Sequence, residues 1–373
     1  MSRLLLRGPV HGRGPGAVAV EGDRIQWVGS GHPPGRFDEE ISAGDGELIA
    51  PGFIDLQVNG YRHCDAADGA EAIIEISRRL PATGVTAFLP TLISSPLAQT
   101  TEFVETVGRV EVSGARVLGA HVEGPFLNPA FKGAHDPACL VDPTPERVAG
   151  LLERPPRMVT LAPELPGARA AIARLAKAGV VVSAGHSAAD FEQGLDAVEA
   201  GVRFGTHLFN AMARFHHRRP GLAAALLLDR RVAVGLVMDG EHLHPATCEL
   251  VLRVKPASRT VLTTDQTAAA GAPPGRYKVA GREVTSDGRA VRLPDGTLAG
   301  SAATMDQLVR NAAQLSTVGR ARAITMATSS PAAVLREGRL GRIRVGAHAD
   351  LVLLDEQLKV RLTLVGGRVV YER

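Results

Sequence analysis

Cysteine is scarce in this chain of 373 residues: Cys64, Cys139 and Cys248 are its only three. An odd count without metal-type spacing excludes a disulfide-stapled scaffold and a cysteine-rich metal knot, and it suits a reducing cytoplasm. Aromatic residues are also few, at 4% with a single tryptophan, Trp27. A binder that works by stacking on rings is therefore not expected. Charge of one sign is missing as well. The 42 Lys and Arg residues against 39 Asp and Glu leave a net charge of +3, with no concentrated basic patch to imply nucleic acid. Long apolar runs are absent: the longest, such as Leu222–Leu228, fall far short of the ~20 residues of a membrane span. The Leu4-Leu5-Leu6 run near the N-terminus is too short for the apolar core of a signal peptide. The apolar fraction of 45% and charged fraction of 22% rule out a disordered chain.

Glycine, by contrast, is plentiful, with 41 residues, as many tight strand-to-helix turns would require. Eight short apolar runs recur along the middle of the chain. They are Phe53–Val58, Ala87–Leu92, Val117–Glu123, Met158–Glu164, Val180–His186, Arg203–Phe209, Val232–Asp239 and Thr260–Asp265. Between them, Ala70–Leu80, Pro145–Leu152, Ala168–Ala178, Phe191–Ala200 and Ala246–Val254 carry helical spacing. Thr144 is placed to cap the second of these, with Pro145 in its first turn. Near-continuous apolar strands alternating with helices indicate a parallel sheet covered on its outside. Eight such units fit a closed (β/α)8 TIM barrel better than an open doubly wound sheet, for which no GxGxxG follows the first strand.

The flanks differ. Residues 1–50 alternate around the Glu21-Gly22-Asp23 turn as a hairpin does, and short strands around glycine turns recur from Ala349 to Tyr371. The expected α/β architecture is a barrel over 51–335 and a small β-sandwich domain built from both termini, 1–50 and 336–373. A further hairpin is expected at Tyr277–Leu298, around Asp287-Gly288 and Asp295-Gly296.

Active sites in such barrels sit at the C-terminal ends of the strands. There the third expected strand ends at Glu123, the fifth at His186, the sixth at His207 and the eighth at Asp265. Any one histidine alone reads as a structural residue, but four metal-capable side chains at matching positions point to a site. Two histidines and a carboxylate leave a coordination position open, the pattern of a catalytic metal. Such an ion lowers the pKa of bound water. Asp265, outside that three-residue set, is the candidate to move the water's proton to a leaving group; a fourth-ligand role is compatible with this.

At these residues the sequence resembles the amidohydrolase superfamily and, within it, the N-acetylglucosamine-6-phosphate deacetylase family. The matching segments are Pro51–Asp55, His121–Phe126, Ala184–Ser187, Thr206–Met212, Pro220–Leu222, Asp239–His242, Thr264-Asp265 with Ala270-Gly271, Leu298–Ser301 and Gly341–Asp350. They span nearly the whole chain. Glu-Gly-Pro and Thr-His-Leu-Phe-Asn-Ala-Met together are specific to the deacetylases. The resemblance implies hydrolysis of the N-acetyl group of an amino-sugar phosphate in amino-sugar catabolism. It implies metal ligands at Glu123, His186 and His207, an acid/base at Asp265, and oxyanion stabilisation by His135 in Lys132-Gly133-Ala134-His135. Substrate contacts are implied at Ala134, Asn210, Ala211, Arg218 and His242, with Arg218, or Arg219 beside it, holding the phosphate through a planar guanidinium. His242 is expected to reach the substrate across a homodimer interface.

Many superfamily members carry His-x-His on the first strand for a second metal. Here Gln57-Val58-Asn59 stands in its place, so one divalent ion per subunit is expected, zinc first, with iron, manganese or cobalt as alternatives. His63 lies nearby but off the spacing and reads as a loop residue. The fourth strand ends at Glu164 and not at a lysine. Two rival enzyme readings stay open, a deacetylase of the galactosamine-6-phosphate epimer and another amidohydrolase. A silent barrel scaffold would be favoured by loss of the metal set or of Asp265, and both are intact.

Overall fold

A computed structural model describes residues 2–315 and 317–373; Met1 and Ser316, within the expected 1–50 and 51–335 segments, lie outside the described residues. The eight expected strands form a barrel: β1 (Phe53–Val58), β2 (Val85–Ile93), β3 (His121–Glu123), β4 (Met158–Leu161), β5 (Val181–Ala184), β6 (Val202–Gly205), β7 (Ala233–Leu236) and β8 (Thr260–Leu262). Each pairs in parallel with the next, from β1–β2 round to β7–β8. Apart from the first residue of β5 and Arg203 on β6, every strand residue is buried. Both faces are thus covered, as the near-continuous apolar runs require.

The third expected strand is broken. Arg116–Val117 pairs with Ala87–Phe88, then the chain turns at Gly119 (φ 116°) before β3 begins. A Cβ at Gly119 would come within 2.8 Å of the Arg157 Cβ, so the break depends on that glycine. The strand ends beyond Leu161, Ala184, Gly205, Leu236 and Leu262, expected as strand, are loop. They cross the mouth of the barrel instead of continuing its wall.

The five expected helices are present, at Ala70–Arg79, Pro145–Glu153, Ala168–Lys177, Phe191–Ala200 and Pro245–Val254. The Thr144 side chain caps its helix by accepting from the Arg147 amide. Two further helices complete the alternation, Leu97–Arg109 and Gly221–Leu228, and three more follow β8 within Met305–Val334. Gly221–Leu228 is apolar all round, with its first six residues buried. It shows no 3.6-residue periodicity because it has almost no exposed face. Its free carbonyls are capped by Lys255, whose buried Nζ donates to the carbonyls of Leu226, Leu227 and Asp229 at 2.7, 3.1 and 2.6 Å.

Both ends of the chain build one eight-stranded sheet. Its order runs Arg368–Glu372, Val360–Val365, Leu351–Leu354, Leu48–Pro51, Arg3–Val10, Gly14–Glu21, Arg24–Gly29, with Glu39–Ser42 also paired to Arg3–Val10. Asp350 joins it to the barrel, accepting from Arg116 Nε at 2.8 Å and Nη2 at 3.1 Å. Residues 275–301 form a four-stranded antiparallel sheet, larger than the hairpin expected there. Among the described residues no helix is long and apolar enough to cross a membrane.

The barrel seam between β8 and β1 is closed by a buried carboxylate. Asp55 accepts from Thr263 Oγ1 (3.2 Å), the Thr264 amide (3.2 Å) and Thr264 Oγ1 (2.6 Å). Just beyond, the Asn59 and Gly60 amides both donate to the Gln266 carbonyl, at 2.9 and 3.1 Å. Burial pushes the Asp55 carboxyl up to about 6, against the pull of these donors. Asp55→Ala would strand the buried donors of Thr263 and Thr264 just past β8, each at a cost of about 1–3 kcal/mol. A marked drop in the thermal midpoint is therefore expected; a midpoint equal to that of the native chain would mean that the seam does not depend on Asp55.

Candidate active site

At the C-terminal rim of the barrel the backbone takes an unusual course. His186 (φ 50°), His207 (φ 27°) and Asp265 (φ 49°) are all left-handed, as are Phe209 (φ 75°) and Ala211 (φ 50°). Each such residue costs on the order of 1–3 kcal/mol, and strain of this kind collects where a side chain must be aimed. His186, His207 and Asp265 stand two or three residues past the ends of β5, β6 and β8, where a sharp turn brings their side chains over the barrel.

Two of these groups, His186 and His207, meet Glu123 from the end of β3. Glu123 Oε1 lies 3.0 Å from His186 Nε2 and 2.9 Å from His207 Nε2, and the two Nε2 atoms are 3.2 Å apart. His186 Nδ1 is 2.9 Å from the Phe131 carbonyl, which can only accept, so the neutral ring carries its proton there and turns an Nε2 lone pair toward Glu123. The Nε2 atoms of His186 and His207 and a carboxylate oxygen of Glu123 thus converge at one point, an arrangement that a divalent cation would satisfy. Among the described residues this is the one His/Cys/Asp/Glu group that could hold a metal ion. Burial pushes the Glu123 carboxyl up, but His186 and His207 outweigh it and hold it well below the usual carboxylate range.

Gln57 and Asn59 face the same centre. The Gln57 amide nitrogen donates to Glu123 Oε2 at 3.1 Å and to Asp265 Oδ1 at 3.0 Å, and Asn59 Nδ2 donates to Asp265 Oδ1 at 2.9 Å. An amide donor therefore stands where a second cation would need a lone pair. With both amides on Oδ1, Asp265 Oδ2 is left toward His242 Nε2, 3.5 Å away.

His135 sits on the other side of Glu123, its Nε2 3.8 Å from Oε2. The Ser94 amide, which can only donate, reaches His135 Nδ1 at 3.0 Å, so the neutral ring bears its proton on Nε2, facing the cluster. Burial, then the neighbouring His186, push the His135 pKa down to about 3. His135 is a neutral N–H donor across the physiological range.

Asn59, Glu123, His135, His186, His207, His242 and Asp265 line a cavity of about 90 Å³ together with Ala134, Asn210 and Ala211 and with Ile93, Val279, Leu298, Ala299 and Gly300. Arg218 and Arg219 are exposed and do not line the cavity; they lie in a turn closed by the His216–Arg219 bridge, which leaves both side chains in solvent. His242 lines the cavity of its own chain. Asp239 Oδ2 accepts from its Nδ1 at 2.7 Å, the side chain is 3% exposed, and the ring faces Asp265 of its own chain. His63, as expected, stays out of the cavity, in a turn beside Tyr277.

Several supporting residues carry no motif. Ser94 fixes the His135 ring through both its amide and its hydroxyl, 2.8 Å from Nδ1. Glu164, where a lysine was looked for, accepts from Asn128 Nδ2 (2.9 Å), Ser187 Oγ (2.7 Å) and the Ala188 amide (2.6 Å). It thereby ties the two loops that carry Phe131 and His186. Asp239 lies within the quoted Asp239–His242 segment, and an Asp three residues before a His was the available signal for its role.

The sequence model of the amidohydrolase family matches residues 48–370. A Danio rerio protein named N-acetylglucosamine-6-phosphate deacetylase is 38% identical, over 93% of this chain and 92% of its own length. An Escherichia coli O157:H7 protein named N-acetylgalactosamine-6-phosphate deacetylase is 36% identical, over 88% of this chain and 89% of its own. Among solved structures, an aspartate-to-alanine variant of the Mycobacterium smegmatis N-acetyl-D-glucosamine-6-phosphate deacetylase in complex with N-acetyl-D-glucosamine-6-phosphate has a TM-score of 0.93 at 34% identity. That match covers 99% of this chain and 100% of the other.

Burial pushes the His242 pKa down, but Asp239 and Asp265 outweigh it and raise it from 6.5 to about 9. A raised pKa means that folding favours the protonated ring. The resulting stabilisation is complete below pH 6.5 and is lost as the pH climbs through about 9. The thermal midpoint should therefore fall more over this window in the native chain than in a His242→Gln variant. Parallel curves for the two would remove His242 as the source.

Proposed function

The chain belongs to the amidohydrolase family, and on that premise we propose that it hydrolyses the N-acetyl group of N-acetyl-D-glucosamine 6-phosphate to D-glucosamine 6-phosphate and acetate. The observation that carries this reading is the pairing, across one cavity, of a neutral His135 Nε2–H with an Asp265 carboxylate, the Glu123, His186 and His207 cluster between them. A carbonyl seated at the cluster would meet a hydrogen-bond donor for its developing oxyanion on one side and a proton acceptor on the other.

Glu123, His186 and His207 would hold one divalent cation, zinc first among the candidates, and when bound it supplies Lewis acidity and makes water acidic enough to ionise near neutral pH. The protein's own part follows from its hydrogen bonds. Asp265 receives the attacking water's proton at Oδ2, since Oδ1 is occupied by Gln57 and Asn59. It then returns that proton to the departing amine nitrogen, as general acid–base catalysis requires. His135 donates from Nε2 to the oxygen that gains charge at the tetrahedral stage.

Asn210 and Ala211 are proposed to meet the sugar phosphate. Arg218, standing outside the cavity, is proposed to contribute its charge from the neighbouring loop. The relative named for the galactosamine epimer supports that epimer as a second substrate reading. A homodimer and a cytoplasmic location belong to the same proposal. The exposed Leu250 and Val254, one helical turn apart, offer an apolar face for the first, and three free thiols are in keeping with the second.

Asp265→Asn should bind metal as the native chain does and lose turnover by about 100-fold or more, the scale of general acid–base catalysis. Acetate release near the native rate would sink the acid/base assignment. Arg218→Ala should raise KM for the phosphorylated sugar by about 10-fold or more, the worth of one charge-assisted hydrogen bond, and leave KM for N-acetylglucosamine nearly unmoved. Equal changes for both sugars would refute a phosphate role.

A further inference from the structure

We propose that Ile93 and Val279 set the length of the acyl group that this site hydrolyses, admitting acetyl and rejecting longer chains. The inference deepens the N-acyl hydrolase reading and rests on it.

Ile93 is the last residue of β2 and the ladder partner of Glu123 on β3. Partners in a parallel ladder share a face of the sheet, so Ile93 enters the cavity beside the carboxylate of the cluster. The next residue, Ser94, is the one that fixes the His135 ring. Ile93 therefore adjoins the oxyanion donor on one side and Glu123 on the other. Packed in the same cluster are Val279 and Ala299 of the 275–301 sheet, which line the same cavity. Ile93, Val279 and Ala299 belong to one buried apolar cluster, and Ile93 and Val279 are only 7% and 4% exposed.

An amide carbonyl carbon has three substituents, and the cavity offers three kinds of wall. The oxygen is assigned to His135 and the Glu123 cluster, and the nitrogen, which must be protonated as it leaves, to Asp265. What remains beside the carbonyl position is the apolar wall, which suits a methyl group and no hydroxyl. The 275–301 sheet is fixed in place: the Arg282 guanidinium donates to the Ala134 carbonyl, and Arg289 and Arg292 each lie 3.3 Å from a Glu241 carboxylate oxygen. The wall that Val279 presents thus does not recede to admit an added methylene. The reaction on a longer amide is otherwise unchanged. Water's oxygen forms the new bond to the carbonyl carbon, the C–N bond breaks, and one proton passes to the nitrogen.

The test compares N-acetyl, N-propionyl and N-butyryl glucosamine 6-phosphate as substrates of the metal-loaded native chain, Ile93→Ala, Val279→Ala and, as a control, Val284→Ala. Val284 is buried in the same cluster but does not line the cavity. One methylene in an apolar pocket is worth about 10–200-fold in discrimination. The propionyl-to-acetyl ratio of kcat/KM should rise at least about 10-fold in Ile93→Ala and Val279→Ala and stay at the native value in Val284→Ala. If Ile93→Ala does not fold, Ile93→Val carries the same test, with a smaller rise expected. An unchanged ratio in the cavity variants, with acetyl hydrolysis retained, or an equal rise in Val284→Ala, overturns the inference and leaves the deacetylase reading standing. A native chain that releases no acetate overturns that reading itself.

Discussion

Glu123 places a charge 2% exposed at the centre of the barrel mouth, and its surroundings are arranged to compensate it. Taking a lone carboxylate out of water costs several kcal/mol even after relaxation. Here Oε2 takes the Gln57 amide, and Oε1 faces two imidazoles. Those partners come from β1 and from the loops after β5 and β6, so the charge is compensated only when distant strand ends are in register. The seam and the site therefore depend on one another. Asp55 ties β1 to β8 from below, and two residues on, Gln57 reaches both Glu123 and Asp265. A barrel that failed to close there would separate the acid/base candidate from the cluster it is meant to serve.

Loops, unlike strands, have no ladder to hold them, and this site uses side chains for that purpose. Glu164 draws Asn128 toward Ser187 and Ala188, which keeps the Phe131 carbonyl in reach of His186 Nδ1 and so selects the ring's tautomer. Metal-binding histidines are oriented in general by such partners of the remote nitrogen. Gly300 serves the opposite need, for closeness without a side chain. It adopts φ 99°, and a Cβ there would stand 2.8 Å from the Asp265 carbonyl. The 275–301 sheet can therefore approach Asp265 only because this position is glycine.

How much of this was legible in the sequence follows from the periodicity of each part. β1 was readable to the residue, because Phe53, Ile54, Leu56 and Val58 mark a short, fully buried strand even with Asp55 and Gln57 between them. Helix Phe191–Ala200 was equally readable, since it alternates faces and carries the Asp190–Gln193 capping box. Helix Gly221–Leu228 was seen only as an apolar run, because a helix buried on nearly every side has no pattern to show. The strand ends were overextended for a related reason. Segments such as Gly185-His186 remain buried after the ladder stops, so burial continues where ladder pairing does not. In the site, residues that do chemistry were legible from their type and spacing. Ser94 and Glu164 were not, because a hydroxyl or carboxylate that holds a loop looks like any other until the loops are brought together. Arg218 and His242 were legible as residues, but the solvent-facing turn of the one and the cavity position of the other were not, since no one-dimensional pattern states which way a loop turns.

The two histidines that flank the cluster demonstrate how little composition decides and how much the second nitrogen does. His135 and His242 are both buried, and burial alone pushes both toward the neutral form. At His135 the remote nitrogen meets a backbone amide and a hydroxyl, which add no negative charge, so the ring stays neutral, with a pKa of about 3. At His242 it meets the Asp239 carboxylate, with Asp265 at the other nitrogen, and the pKa rises to about 9. One cavity thus holds a neutral donor beside Glu123 and a cationic donor beside Asp265. The neutral one can face the cluster without repelling a cation bound there. The cationic one stands 3.5 Å from Asp265 Oδ2, the oxygen proposed to accept the water's proton.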